Sequence, residues 1–404
     1  MEEYGLLGKK LSHSFSPAIH ALLGDYPYRL IELEEDELPG FMRENHFKGF
    51  NVTIPYKEKV ITYLSKVSPL AADIGSVNTV IRQSDGSLFG DNTDAWGFEK
   101  LLGDSKRFVG KKALVLGSGG SSKTVQAVLR NMGIEGIVIS RSGENHYENL
   151  SNNKDAALII NTTPLGMYPN NDLAPLSLSI FWQCRLVIDL IYNPYRTKLL
   201  QQADKLGIEG RGGLLMLAAQ AQRASELWDL SHSGDDRSME IAEKLSRDMR
   251  NLVLIGMPGS GKTAIAKSLK RLTGRQIFDS DTLIEQKTGK SIPKIIEHEG
   301  IAAFRLLETE ILREVSKLSG VIIAAGGGVV TQPQNLPLLM QNSRIIWIKR
   351  DLNLLSTSGR PLSQSSGVEA LYQQREALYA AWSERAFENT GIDRTAKEIA
   401  ETML

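Results

Sequence analysis

The stretch LVLIGMPGSGKT at residues 252–263 runs an apolar strand directly into Gly256, Gly259, Ser260, Gly261, Lys262 and Thr263. Glycine, four residues, then Gly-Lys-Thr is P-loop spacing. A loop so poor in side chains can wrap its N–H groups around phosphate oxygens at a helix N-terminus. Lys262 is placed to reach the outer phosphates and Thr263 to ligate Mg²⁺. A chance Gly/Lys turn would lack the legible strand before it and the helix after it. The second part of the chain therefore reads as a binder of a nucleoside triphosphate.

The rest of the composition bounds the company this loop keeps. With 404 residues, 42% hydrophobic and 23% charged, the chain has the make-up of globular protein and the length for about two to four domains. Lys+Arg and Asp+Glu are both 47, so no basic field is present to attract nucleic acid or an anionic membrane. The single cysteine, Cys184, excludes an intrachain disulfide and reads as a small buried hydrophobe in a reducing compartment. The acidic start MEEYGLLG lacks a signal-peptide plan, and no apolar run approaches the ~18 residues of a membrane span. A cytoplasmic protein without membrane or nucleic-acid partners is expected. Histidines 13, 20, 46, 146, 232 and 298 show no metal-ligand spacing, and no zinc site is assigned.

Over roughly the first hundred residues short apolar strands alternate with helical stretches, an α/β pattern. Ser16-Pro17 reads as N-cap and first helical residue, with Gly24 as the stop. Ser16 is then either a cap or, with Ser14, one of two hydroxyls cradling a carboxylate. In GFNVTIPYKEKV, Asn51 and Thr53 share a strand face and Pro55 begins a helix, which puts Lys57 in its first turn. The helix dipole would lower a lysine there toward proton-transfer range; a solvated surface lysine is the alternative. Asn78 lies in GSVNTV, and Asp94 ends GDNTD as either a helix cap or a partner for Lys57.

A second glycine turn follows the buried strand at 113–117: Gly117, Ser118, Gly119, Gly120, Ser121 and Ser122 lead into KTVQAVLRNMG. This is close to the dinucleotide fingerprint, with Ser122 at the third glycine position. Strands IEGIVIS, ALIIN and LVIDL follow at crossover distances, as a doubly wound sheet requires. The second strand ends in Ser140, Arg141 and Ser142 with no acid for a ribose 2′-hydroxyl; an arginine there suits a 2′-phosphate and points to NADP.

Taken in order, SHSFSP, NVTIPYK, VNT, GDNTD, the GSGGSS loop and MLAAQAQ resemble the shikimate dehydrogenase family from Tyr4 to about Trp228. The resemblance implies a substrate domain over 1–95, an NADP-binding Rossmann domain over 96–212, and a helix at 213–230 that returns to the substrate domain. It implies that Ser14 and Ser16 hold a ring carboxylate, with Tyr192 near it. Asn51, Thr53, Asn78, Asp94 and Gln220 would hold ring hydroxyls, and Gly213 and Met216 would face the cofactor. Lys57, paired with Asp94, would protonate the alkoxide that forms as 3-dehydroshikimate is reduced. The chain departs from the family at Ser140-Arg141-Ser142, where Asn-Arg-Thr is usual, and in lacking a second arginine soon after.

The polar run DLSHSGDDRS and a helical stretch spaced by Met239, Ala242, Leu245 and Met249 read as a linker and packing helix over 231–250. Beyond the P-loop, IFDSDTLIE places Asp279 and Asp281 two apart on what reads as a strand end, hence on one side. Either carboxylate could serve Mg²⁺ and the other an acceptor hydroxyl, or both could be exposed acids at a helix start. Arg305 and Glu308 sit three apart on a helix, a spacing for an ion pair that orients the guanidinium. Gly326, Gly327 and Gly328 end a buried strand where a small substrate can approach the backbone.

P-loop, FDSD, FRLLE, GGG, RPL and YQQREALY together resemble shikimate kinase over 251–404. That resemblance implies that Asp279 joins Thr263 at Mg²⁺ and that Asp281 takes the substrate hydroxyls and the attacking proton. Arg305 and Arg375 would hold the carboxylate, the three glycines would line the ring, and Arg360 on a lid would meet the transferring phosphoryl group. The lid is short, and no arginine precedes Arg360 where one usually stacks on adenine. The expected whole is an α/β dehydrogenase of two domains fused to a P-loop kinase domain, with NADP, ATP and Mg²⁺ as cofactors. Its substrates would be 3-dehydroshikimate and shikimate. A quinate-preferring dehydrogenase fused to another small-molecule kinase, or to a non-catalytic nucleotide-binding module, is the competing expectation.

Overall fold

The computed structural model describes residues 2–11, 14–230, 235–355 and 367–404. Two compact units account for them. The first holds Met1–Met167, Asp172–Tyr192 and Gln202–Leu245; the second holds Tyr168–Asn171, Asn193–Gln201 and Ser246–Leu404.

In the first unit, strands β1 (Tyr4–Gly8), β2 (Tyr28–Glu32), β3 (Gly49–Val52), β4 (Lys66–Val67), β5 (Thr79–Arg82) and β6 (Leu88–Asp91) form a mixed sheet in the order β2-β1-β3-β5-β6-β4. Leu7, Phe50, Val52, Tyr56 and Val80 form the centre of its core. Five further strands, β7 (Lys112–Leu116), β8 (Glu135–Ile139), β9 (Leu158–Asn161), β10 (Leu186–Asp189) and β11 (Glu209–Gly212), pair in parallel in the order β11-β10-β9-β7-β8. The central β9 and β10 are buried throughout, which is why they read as unbroken apolar runs rather than alternating ones. Successive strands leave β7 in opposite directions, so the glycine turn after Leu116 sits at the switch point of the sheet, where doubly wound folds open a crevice.

Helix Leu214–Leu227 packs along helix Thr93–Leu102. Gly97 makes the approach possible, since a Cβ there would stand 2.6 Å from the Met216 carbonyl oxygen. Met216 itself is buried in the apolar cluster with Phe98, Val115 and Ile188.

In the second unit, β12 (Asn251–Ile255), β13 (Ile277–Asp279), β14 (Ile322–Ala324), β15 (Ser343–Lys349) and β16 (Arg385–Glu388) are all parallel in the order β13-β14-β12-β15-β16. Val253, Ile255, Ile323, Ile345 and Trp347 face one core cluster, while Leu252, Leu254, Ile322, Ile346 and Ile348 face another. The period of two thus buries both faces. The segments Tyr168–Asn171 and Asn193–Gln201, which lie within the 96–212 stretch, belong to this unit. The Tyr168 hydroxyl donates to the Ser316 carbonyl at 3.0 Å, the Arg196 N–H donates to the Gln341 carbonyl at 2.8 Å, and the Asn171 amide meets the Gln341 side chain. No helix among the described residues is long and apolar enough to cross a membrane.

Candidate active sites

In the first unit Ser14, Ser16, Asn51, Thr53, Lys57, Asn78, Asp94, Tyr192 and Gln220 all line one cavity of about 500 Å³. Every residue expected around the substrate is therefore brought together. Lys57 Nζ lies 2.6 Å from Asp94 Oδ2, with the two side chains 24% and 10% exposed. Asp94 Oδ1 accepts from Asn78 Nδ2 at 2.9 Å, and Asn78 Oδ1 accepts the Thr93 N–H at 2.7 Å. The carboxylate is thereby clamped from one side and presents the ammonium from the other.

Local structure corrects three expectations here. Lys57 is not in a helical turn: after the cis Ile54-Pro55 bond the chain makes turns, and a short 3-10 helix begins only at Lys59. The helix dipole accordingly has no hold on Lys57; its partner Asp94 orients it instead. Asp94 is not the cap of helix Thr93–Leu102. Asn92 caps it, accepting the Ala95 N–H at 3.2 Å, and Asp94 is left for the lysine. Ser16 is the first helical residue rather than the N-cap of helix Ser16–Leu23; Ser14 Oγ accepts its N–H at 3.2 Å.

The dinucleotide turn is built as a phosphate cradle. Gly117 has φ +107°, and a Cβ on it would meet Thr162 and Thr163 at 2.9 Å. Gly119 precedes helix Gly120–Asn131, and neither it nor Gly120 has an atom of another residue near its absent Cβ. The Gly117 N–H is tied to the Ile139 carbonyl at 2.8 Å, and the side-chain-free Gly119 and Gly120 leave open space at the helix N-terminus, an arrangement that fits a pyrophosphate. Ser118 and Ser121 complete the turn. Ser122 is fully buried, and its Oγ accepts from Gln126 Nε2 at 3.0 Å, so it serves the helix rather than the ligand. Ser140, Arg141 and Ser142 follow β8 with Arg141 exposed and no acid among them. Gly213 heads helix Leu214–Leu227, and a Cβ on it would stand 2.1 Å from the Leu190 carbonyl oxygen.

In the second unit Gly259, Gly261, Lys262, Thr263, Asp279, Asp281, Arg305, Gly326, Gly327, Gly328 and Arg375 line a cavity of about 410 Å³. Gly256, Gly259 and Gly261 have φ of +143°, +86° and +98°, which only glycine adopts freely. Ser260 is buried inside the loop. Lys262 Nζ donates to the carbonyls of Gly256 at 2.9 Å and Met257 at 3.0 Å, folded back over the loop. Thr263 Oγ1 donates to Asp279 Oδ2 at 2.7 Å, two hard oxygen ligands side by side and a fitting donor pair for Mg²⁺.

Asp279 and Asp281 do not share a strand face. The strand stops at Asp279, which caps helix Ser280–Thr288 by accepting the Thr282 N–H, and Asp281 lies in the first helical turn. The turn still brings both into the cavity. Burial, and secondly the charge of Asp279, push the Asp281 carboxyl above its ordinary range, and its covered Oδ1 has no partner. Arg305 Nη1 donates to Glu308 Oε2 at 2.8 Å as the spacing predicts; burial raises Glu308 as well, and its Oε1 is unpartnered. A Cβ on Gly326 would press on Glu308 Oε1 and Asp281 Oδ1, and one on Gly328 on the Arg305 guanidinium. The glycine run therefore makes room for these side chains as well as for a ligand. Arg360 lies outside the described residues.

Several participants were not found by sequence. His20 lines the first cavity. Tyr379 donates its hydroxyl to the Gly327 carbonyl, which also accepts from Arg375 Nη1 at 3.1 Å; a position four after Arg375 was its only signal. Asn389 Nδ2 donates to the Ser260 carbonyl at 2.7 Å across 129 residues, a partnership with no local signature.

Comparison with known proteins divides the chain in the same way. Residues 6–80 match the family model for the shikimate dehydrogenase substrate binding domain, and residues 258–404 match that for shikimate kinase. The chain is 39% identical over 251 residues to a shikimate dehydrogenase (NADP(+)) of Clostridium beijerinckii, covering 56% of this chain and 92% of that one. Among solved structures, it is similar to a Thermus thermophilus shikimate 5-dehydrogenase in complex with NADP(H) and shikimate (33% identity, TM-score 0.54, 60% and 99% coverage). It is also similar to a chorismate mutase/shikimate 5-dehydrogenase fusion protein from Clostridium acetobutylicum (33%, TM-score 0.56, 61% and 97%).

Proposed function

The chain belongs to the shikimate dehydrogenase family and carries a shikimate kinase domain behind it, and we propose that one polypeptide carries out both steps. It reduces 3-dehydroshikimate with NADPH and phosphorylates the shikimate so formed with ATP. The observation that carries this reading is chemical. One cavity pairs Lys57 with Asp94 among hydroxyl-reading amides, and the other sets two arginines and a raised carboxyl against a P-loop, so both are equipped for a small hydroxylated acid.

In the first site Ser14 and Ser16 hold the carboxylate, Tyr192 closes beside it, and Asn51, Thr53, Asn78 and Gln220 hold the ring hydroxyls. The Gly117–Ser121 turn would hold NADPH, with Arg141 toward its 2′-phosphate, and the cofactor supplies the hydride when bound. Lys57 Nζ donates its proton to the oxygen of the reduced carbonyl while Asp94 keeps the ammonium aimed. In the second site Arg305, oriented by Glu308, and Arg375 grip the carboxylate by charge-assisted bonds. Asp281 accepts the proton of the attacking hydroxyl. Lys262, swung off its loop carbonyls, neutralises the outer phosphates, and Thr263 and Asp279 would hold Mg²⁺, which supplies further charge neutralisation when bound.

The test is a single incubation of this chain with 3-dehydroshikimate, NADPH and ATP. NADPH loss and ADP formation should be matched by accumulation of shikimate 3-phosphate. NADPH consumption without that product would remove the kinase half, and a clear preference for quinate with NAD would remove the dehydrogenase assignment.

A further inference from the structure

Helix Ser16–Leu23 sends a second residue into the first cavity: His20, four positions after Ser16 and so on the same helix face. Its ring is wholly buried. It stacks on Tyr28 with centroids 3.8 Å apart and planes 13° from parallel, with Trp228 at 5.6 Å. Nδ1 is engaged with the Tyr26 hydroxyl at 2.7 Å. Nε2 is covered and has no hydrogen-bond partner.

Asn51 is the neighbouring polar side chain that opposes the effect of burial on the ring, but both hydrogens of its amide nitrogen are engaged elsewhere, and only the second lone pair of its Oδ1 is left for a ligand. Its Oδ1 accepts the Tyr28 hydroxyl at 2.8 Å, and its Nδ2 donates to Thr79 Oγ1 at 3.1 Å and to the Asn78 carbonyl at 3.4 Å. A buried ring nitrogen without a partner is destabilising unless a ligand completes it. Burial also pushes the imidazole down to about 3, so it is neutral wherever the enzyme works and brings no charge to an anion.

From this geometry we propose that His20 Nε2 hydrogen-bonds a ring hydroxyl of the substrate and is a specificity-determining residue of the dehydrogenase site. The proposal rests on reading the cavity as the shikimate site. A neutral imidazole suits a hydroxyl, which both gives and takes a hydrogen bond, better than it suits the carboxylate. The Tyr26 bond and the Tyr28 stack fix the ring, so the one free nitrogen has a fixed aim.

The full chain is tested as wild type, His20→Asn, which keeps a polar atom toward Tyr26 and removes Nε2, and His20→Gln, which returns a polar atom toward the Nε2 position. Each is assayed for NADP reduction with shikimate and with its 4-deoxy and 5-deoxy analogues. His20→Asn should raise the shikimate KM about tenfold, leave the NADP KM unchanged, and be partly rescued by His20→Gln. With one deoxy analogue the gap between wild type and His20→Asn should vanish; with the other it should persist. An equal gap on all three substrates, or no gap on shikimate, overturns the proposal. If His20→Asn does not fold, shown by loss of hydrogen-exchange protection in β1 and β3, the same comparison is made with His20→Gln, whose gap must likewise shrink on one analogue alone. A wild type that does not oxidise shikimate would instead overturn the reading of the cavity itself.

Discussion

Replacing Gly328 by alanine perturbs a single contact. Gly328 has φ −100° and ψ 3°, a conformation open to other residues, so the backbone does not resist the change. The added Cβ, however, lands on the Arg305 guanidinium, which must leave. Leaving breaks the 2.8 Å bond to Glu308, where the arginine side chain is 10% and the glutamate 0% exposed. A displaced Arg305 also gives up its bond to the substrate carboxylate. A hydrogen bond to a charged group is worth about 1.5–3 kcal/mol. At ~1.4 kcal/mol per factor of ten, the shikimate KM of the kinase should rise about ten- to a hundredfold. ADP formation measured against shikimate concentration reads this directly, and NADP reduction by the same molecules reports that the first unit is untouched. A kinase KM within about twofold of wild type, in a folded chain, would show that Arg305 does not hold the carboxylate from this position.

Lys57→Ala should lower dehydrogenation about 10²–10⁴-fold, the usual range for a lost general acid, with phosphorylation intact, and Lys262→Ala should do the reverse; loss of both rates in either variant would contradict independent sites. Tyr168→Phe removes the hydroxyl that donates to Ser316 at 3.0 Å and should destabilise the second unit by about 0.5–1.5 kcal/mol. Hydrogen exchange in β12 and β15 would report it, and unchanged exchange would mean that this bond adds nothing. His20 has a pKa depressed by burial to about 3, so its contribution is fully present above the unfolded value of about 6.5 and is lost as pH falls, because only the unfolded chain then gains a proton. The expected slope for that proton is about 1.4 kcal/mol per pH unit. Urea midpoints at pH 7 and pH 5 should diverge less in His20→Phe than in wild type, and equal divergence would count against it.

What the sequence revealed best were features whose chemistry is local. The two glycine turns announced themselves because strand, bare loop and helix follow one another within a dozen residues, and the Arg305 and Glu308 pair because a helix turn fixes their meeting. Elements that depend on exact boundaries were misread by a residue or two. Asn92, rather than Asp94, took the cap, and the strand before Ser280 ended two residues too early for Asp281 to share its face. Lys57 was misplaced because a proline after a strand reads as a helix start, whereas here the chain turns first. Contacts across long sequence distances, such as Asn389 on the P-loop and Tyr168 on Ser316, had no periodicity to betray them. His20 was hidden for the opposite reason: on an apolar helix face it looks like packing, and only the uncapped nitrogen distinguishes it.

The second unit is not a contiguous length of chain. Its segments Tyr168–Asn171 and Asn193–Gln201 are threaded between parts of the first, and the backbone passes between the units five times. A break at Leu245 would leave a kinase fragment without the groups that hydrogen-bond to Ser316 and Gln341. The two activities should thus be easy to separate by point mutation and hard to separate with scissors.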